Sequence, residues 1–193
     1  EVGEDDQGVP ASLSILDGTL SIAGNYVFEE ITDNAGGKII RVAGTEMSAA
    51  LSVGGSDVVS ITDGTGFLFV DDNQFAGQLT ADASFTIPGA TLAASDVELT
   101  INTTGESVVE SMVVNGDAVE LSLPAGNYVQ ATVEDATLHF AGLELTADLA
   151  FVQDQTTGTT SIGVTNGSIS FDSDGDSISL HEAEGAIIIR DGQ

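Results

Sequence analysis

Three carboxylates at alternate positions around a glycine, Asp172-Ser173-Asp174-Gly175-Asp176, form the segment of this chain best suited to hold an ion. Alternation about a tight turn lets Asp172, Asp174 and Asp176 converge their oxygens on a hard cation such as Ca2+. The segment lacks the downstream glutamate of an EF-hand loop, and no Gly-Gly-x-Gly-x-Asp nonapeptide occurs. The competing reading is an acidic hairpin tip in solvent. Its equivalents, Gly55-Ser56-Asp57 and Asn115-Gly116-Asp117, carry fewer acids. Asp71 and Asp72 form a second candidate pair for the cation. They belong to a set of strand-to-strand corners with Asp17, Glu134-Asp135 and Asp191, where an aspartate also hydrogen-bonds its own backbone.

Groups for catalysis are few. His139 sits on a strand where a related segment has Ser21, which reads as a surface variation. His181 lies beside Glu182 and Glu184 and needs a third ligand from elsewhere to hold a metal. There is no Gly-x-Ser-x-Gly, His-Glu-x-x-His or phosphate loop. Glycoside hydrolysis by a carboxylate pair needs a cleft, usually walled by aromatics, and aromatics are 5% of this chain with no Trp. With no Cys, thiolate chemistry, disulfides and iron–sulfur clusters are unavailable. The expectation is therefore a protein that is not an enzyme, with a carbohydrate-binding β-module as the alternative reading.

The charge points the same way. Thirty-one acids against 3 bases give a formal net charge of −28. Such a surface repels phosphate backbones and anionic lipid heads, attracts divalent cations, and keeps a repetitive β-protein from sticking to its copies. At 41% hydrophobic residues the chain is not an acidic disordered tail. No apolar run reaches the length of a membrane span, and the N-terminal Glu-Val-Gly-Glu-Asp-Asp is no signal peptide.

The elements that must position these residues are strands. Apolar and polar residues alternate in Val97-Glu98-Leu99-Thr100-Ile101 and in Val119-Glu120-Leu121-Ser122-Leu123. Gly54-Gly55, Asn115-Gly116 and Asp174-Gly175 are two-residue hairpin signals at equivalent places, so neighbouring strands should pair antiparallel. Further turns are expected at residues 34–37, 103–105 and 156–158, and no stretch combines a helix cap with a 3.6-residue period.

The chain also repeats itself. Asp17-Gly18-Thr19-Leu20-Ser21-Ile22-Ala23-Gly24 returns 118 residues later as Asp135-Ala136-Thr137-Leu138-His139-Phe140-Ala141-Gly142. Asp57 to Ile61 and Gly66 to Val70 return 119 residues on, at Asp176 and Gly185. A weaker echo at 60 residues links Asp57 with Asp117 and Gly66 with Gly126. The division that follows is 1–22 as the end of one unit, 23–140 as a full unit with halves 23–75 and 76–140, and 141–193 as the first half of the next. Both ends read as cuts through a longer array. The expected fold is all-β, a mostly antiparallel elongated array, either solenoid-like or a string of small sandwiches, with a parallel β-helix as the alternative.

The motifs Asp-x-Thr-Leu-x-(Ile/Phe)-Ala-Gly, Asn102-Thr103-Thr104-Gly105 and Leu123-Pro124-Ala125-Gly126-Asn127-Tyr128-Val129 resemble units of very large repetitive surface proteins of Gram-negative, often marine, bacteria. The resemblance spans nearly the whole chain. It implies a secreted or cell-surface setting, an adhesin shaft, filament or matrix role, and Ca2+, and it transfers no catalytic residue. The partners it implies are neighbouring repeats or further copies, end to end or lateral, and divalent cations. Nucleic acid and membrane insertion are not expected.

Overall fold

The computed structural model describes residues 11–15, 20–32, 37–53, 56–71, 74–87, 90–140, 143–173 and 176–190, and no helix occurs among them. The strands are β1 (Ala11–Ile15), β2 (Leu20–Thr32), β3 (Lys38–Val53), β4 (Ser56–Asp71), β5 (Gln74–Ile87), β6 (Ala90–Asn102), β7 (Val108–Val114), β8 (Asp117–Leu123), β9 (Tyr128–Phe140), β10 (Leu143–Asp154), β11 (Thr159–Ser173) and β12 (Asp176–Arg190). Ten of them form one sheet in the order β1-β2-β3-β4-β5-β6-β9-β10-β11-β12, and β7 and β8 pair only with each other. Every pairing is antiparallel, which removes the parallel β-helix alternative.

The turn residues explain this local meander. At Asn115-Gly116 both residues take positive φ (50° and 93°), as a two-residue hairpin turn requires, and Val114 pairs with Asp117 across it. β3 and β4 close to the pair Val53↔Ser56, and β11 and β12 to Ser173↔Asp176. The three hairpin signals are therefore not equivalent in space: two join neighbours in the large sheet, and the middle one makes a separate layer.

That layer is built by strict alternation. Val108, Met112 and Val114 of β7, with Val119, Leu121 and Leu123 of β8, are buried, while Val109 and Val113 between them are 76% and 64% exposed. The buried side packs on Ala43, Phe67 and Ala76 of β3, β4 and β5 to form the core, with Val27 and Phe69 at its margin. Arg41, one of the chain's 3 bases, ties the layers together. Its guanidinium donates to Glu110 on β7 (Nη1–Oε2 2.6 Å) and to Glu29 on β2.

Where the chain leaves the sheet to form this hairpin, β6 pairs directly with β9, with Leu92↔Leu138 and Ile101↔Val129 in register. Asn102, fully buried, closes the junction by donating from Nδ2 to the carbonyls of Glu106 (2.8 Å) and Pro124 (2.9 Å).

Six non-glycine residues inside the described strands have positive φ: Glu46, Asp63, Asp96, Asp135, Asn166 and Glu182. Each lies at a register shift, one on each of β3, β4, β6, β9, β11 and β12, so each marks a β-bulge. Asn and Asp tolerate the left-handed region better than other non-glycine residues. Glu134-Asp135 is thus a bulge within β9 and not the strand-to-strand corner expected from its likeness to Asp71-Asp72.

Candidate functional site

The bulges decide which side chains share a face. In an antiparallel ladder paired residues point the same way, and an extra residue shifts the alternation by one. On β6 the apolar series Leu92, Ala94 becomes Val97, Leu99, Ile101 after Asp96; on β9 Val129, Ala131, Val133 becomes Ala136, Leu138 after Asp135. The slips keep apolar residues on one side of the sheet along its full length. One row runs Val59, Phe85, Leu92, Leu138, Leu145, Ile169 and Leu180 from β4 to β12. Another includes Leu79, Leu99, Ala131, Phe151, Ile162 and Ile187.

This face is opposite the hairpin and nothing described covers it. Phe28 is 60% exposed, Leu99 44% and Ile187 60%. Among the residues whose side chains are described, and outside the bulges, its only charged ones are Glu30 and Lys38, which pair with each other (2.8 Å) at one corner; at the far edge, on β12, Asp176 pairs with Ser173 in the register of this side. Gly44, Gly66 and Gly77 leave an apolar hollow of about 260 Å3 in the face, bordered by Met47, Leu68, Leu79 and Leu99.

The opposite face is polar and carries the acids. Ser60, Ser84, Ala93, Thr137, Thr146 and Ser168 cross it as a row of small side chains, with hydroxyl contacts Ser60–Ser84 (2.7 Å) and Thr146–Ser168 (2.6 Å). The bulges supply a belt of carboxylates and donors beside it. Asp148 Oδ1 accepts the backbone N–H of Asp135 (2.9 Å) and its Oδ2 accepts Asn166 Nδ2 (2.5 Å). These bonds, the backbone one foremost, hold the Asp148 carboxyl below the usual carboxylate range. Asp82 accepts the Asp96 N–H in the same way (3.2 Å), and Glu46 accepts Asn25 Nδ2 (2.7 Å).

Beside the hairpin the polar face opens into a groove of about 680 Å3. Its floor includes Gln78, Glu98, Thr100 and Gln130, and Tyr128 stands on its wall. Glu98 Oε1 accepts from Gln78 Nε2 (3.0 Å) and Thr100 Oγ1 (3.1 Å). The far wall is the 154–157 turn. There hydrogen bonds from Thr157 and then Thr156 depress the Asp154 carboxyl, whose Oδ1 accepts both backbone N–H groups.

Of the residues expected to hold Ca2+, Asp172 and Asp176 lie at the facing ends of β11 and β12, with Asp172↔Ser177 and Ser173↔Asp176 in register. Asp174 and Asp72, and the side chains of Asp172 and Asp176, fall outside what the structure describes. Asp71 is half-buried at the end of β4, paired with Ile39 and Gln74. Among the described residues no three His, Cys, Asp or Glu side chains are grouped to hold a metal ion. His139 is exposed and 3.5 Å from Glu144, and His181, Glu182 and Glu184 are exposed on β12. The strand carrying His139 has Leu138 half-buried on its other side, as the alternation requires, while the side chains of Leu20, Ser21, Ile22 and Phe140 are outside the described set.

One signal in the sequence is a second internal identity: Ala23-Gly24-Asn25-Tyr26-Val27 and Ala125-Gly126-Asn127-Tyr128-Val129 are the same pentapeptide. Both copies place the tyrosine ring over the glycine, where an added Cβ would come within 3.0 Å of Tyr26 and 2.9 Å of Tyr128. In both, the Asn Oδ1 is buried without a hydrogen-bond partner among the described residues. The repeats at 118 and 60 residues do not contain this match, and only Tyr128 faces the groove.

Comparison with protein-family models, curated proteins and solved structures finds no match to this chain.

Proposed function

We propose that the chain is a structural repeat segment of a large extracellular or cell-surface protein, serving as a shaft, filament or matrix component and catalysing no reaction. The observation that carries this reading is the meander itself. A ten-stranded antiparallel sheet built from neighbouring hairpins lengthens by adding hairpins, without altering the strands already present. The acids gathered on one face keep such an array dispersed, and Ca2+ at the acidic hairpin tips would relieve their mutual repulsion. Its partners are neighbouring repeats or further copies. Antibody raised against the chain should label intact producing cells or their medium; label that appears only after permeabilisation refutes the extracellular assignment.

A second reading rests on the groove beside Tyr128. An aromatic wall over a floor of Gln78, Glu98, Thr100 and Gln130 offers stacking and paired donors and acceptors, which suit a carbohydrate. A polysaccharide retardation gel decides it: a carbohydrate module binds and loses binding in Tyr128→Ala, while a purely structural segment shows no retardation.

A further inference from the structure

We propose that the bare apolar face of the ten-stranded sheet is the contact surface for a second copy of this chain, the two sheets packing face to face. The inference deepens the structural reading and rests on it in one respect, that the chain works by association.

Area is the first argument. Ten strands set ~4.8 Å apart, all but the short β1 contributing about a dozen residues or more at ~3.4 Å per residue, make a face of roughly 40 by 40 Å. Two such faces in contact remove roughly 3,000 Å2 from water, more than the ~1,200–2,000 Å2 of a stable interface. The largest apolar patch on an ordinary monomer is only ~300–600 Å2.

Charge selects the occupant. The chain carries −28, yet outside the bulges the described side chains of the face show one neutralised pair, Glu30 with Lys38, at its corner, and the register adds only Asp176 at the far edge strand. A charged partner gains nothing there, and the covering surface must itself be apolar. A lipid bilayer fits poorly, because β-proteins that meet lipid carry aromatic girdles at both interfaces. This chain has no Trp, and of its 2 Tyr only Tyr26 is on this face.

Shape favours a copy. A two-fold interface needs knob and hollow on the same surface. The hollow at Gly44, Gly66 and Gly77 shares the face with the protruding Phe28 and Leu99. Sheets stacked in this way sit ~10 Å apart, and the carboxylates of both copies remain on the outer sides. Their repulsion is screened by salt, so association strengthens as salt rises, the reverse of an interface held by ion pairs.

Sedimentation velocity on the whole chain across a wide concentration range, at low and high NaCl, reads the association. A monomer–dimer equilibrium that tightens in high salt is expected. Leu99→Lys puts a charge mid-face and, by symmetry, twice into the interface, weakening dimerisation at least about 100-fold. Val113→Lys, on the exposed side of the hairpin, should leave it unchanged. Far-UV circular dichroism checks that the variants fold, and Ile187→Lys serves if Leu99→Lys does not. A chain that stays monomeric at every concentration overturns the proposal. So does open-ended growth insensitive to Leu99→Lys, which would mean edge-to-edge pairing, and so does a monomer that floats with phosphatidylcholine vesicles. A monomer found on the cell surface would sink this interface and leave the structural reading standing.

Discussion

Replacing Leu121 by alanine isolates the contribution of the docked hairpin. Leu121 is fully buried among Phe67, Met112, Val114 and Val119, so truncation removes its methyls from contact on both layers. Leu→Ala at such sites costs ~2–5 kcal/mol, the spread reflecting how far the cavity collapses. The hairpin is held over the sheet at Arg41–Glu110 and Asn102, which limits collapse, so about 3 kcal/mol is expected. Against a total of ~5–15 kcal/mol for a domain, that is a large fraction. The assay is urea unfolding followed by far-UV circular dichroism, since the chain lacks Trp, at one fixed protein concentration. The midpoint should fall by roughly 1–1.5 M for a slope of ~2–3 kcal/mol/M. Val113→Ala, on the 64% exposed side of the same hairpin, should cost less than about 0.5 kcal/mol. Equal losses in the two variants would show that the hairpin is not docked on β3–β5, and the reasoning about the core would fail.

Arg41→Ala should cost about 1–2 kcal/mol, because it strands Glu110 beside the apolar core while solvent at Glu29 softens the loss; a double-mutant cycle with Glu110→Ala should show coupling near 1 kcal/mol. Asp148 is held ionised in the folded chain, so its contribution is complete above the unfolded carboxyl value near ~4 and is lost as pH falls through the lower folded value. Asp148→Asn should therefore melt below wild type at neutral pH, with the gap closing in acid. If bound Ca2+ acts at the hairpin tips, millimolar Ca2+ should raise the melting temperature beyond NaCl of equal ionic strength, by an amount that Asp174→Asn reduces; equal melts in the two salts would leave screening alone.

Much of the fold is legible in the chain. Alternation along Val119 to Leu123 reproduces the burial of β8, and Asn115-Gly116 forms the turn its chemistry demands. What escaped was non-local or hidden by a shift of parity. A period of two read across Asp96 or Asp135 puts half of β6 or β9 on the wrong face, and only the bulge restores a continuous apolar row. The signal was present as an alternation that slips by one at an acidic residue. Nothing local in residues 103–127 says that they leave the sheet, because that depends on β6 meeting β9. The groove escaped for the same reason, since Gln78, Gln130 and Asp154 meet only once four strands are in register.

The central structural claim is that β6 and β9 pair directly, leaving the hairpin outside the sheet, and the pair Ala93↔Thr137 tests it most directly. The chain has no cysteine, so Ala93→Cys with Thr137→Cys makes one defined pair. In the folded, dilute protein these residues face each other on adjacent strands and should oxidise to an intrachain disulfide that raises the melting temperature. If β7 and β8 instead lay between β6 and β9, three strand spacings of ~4.8 Å would separate the thiols by about 14 Å. That exceeds the ~7 Å that a disulfide can bridge, so thiols that stay free in the folded chain would contradict the account.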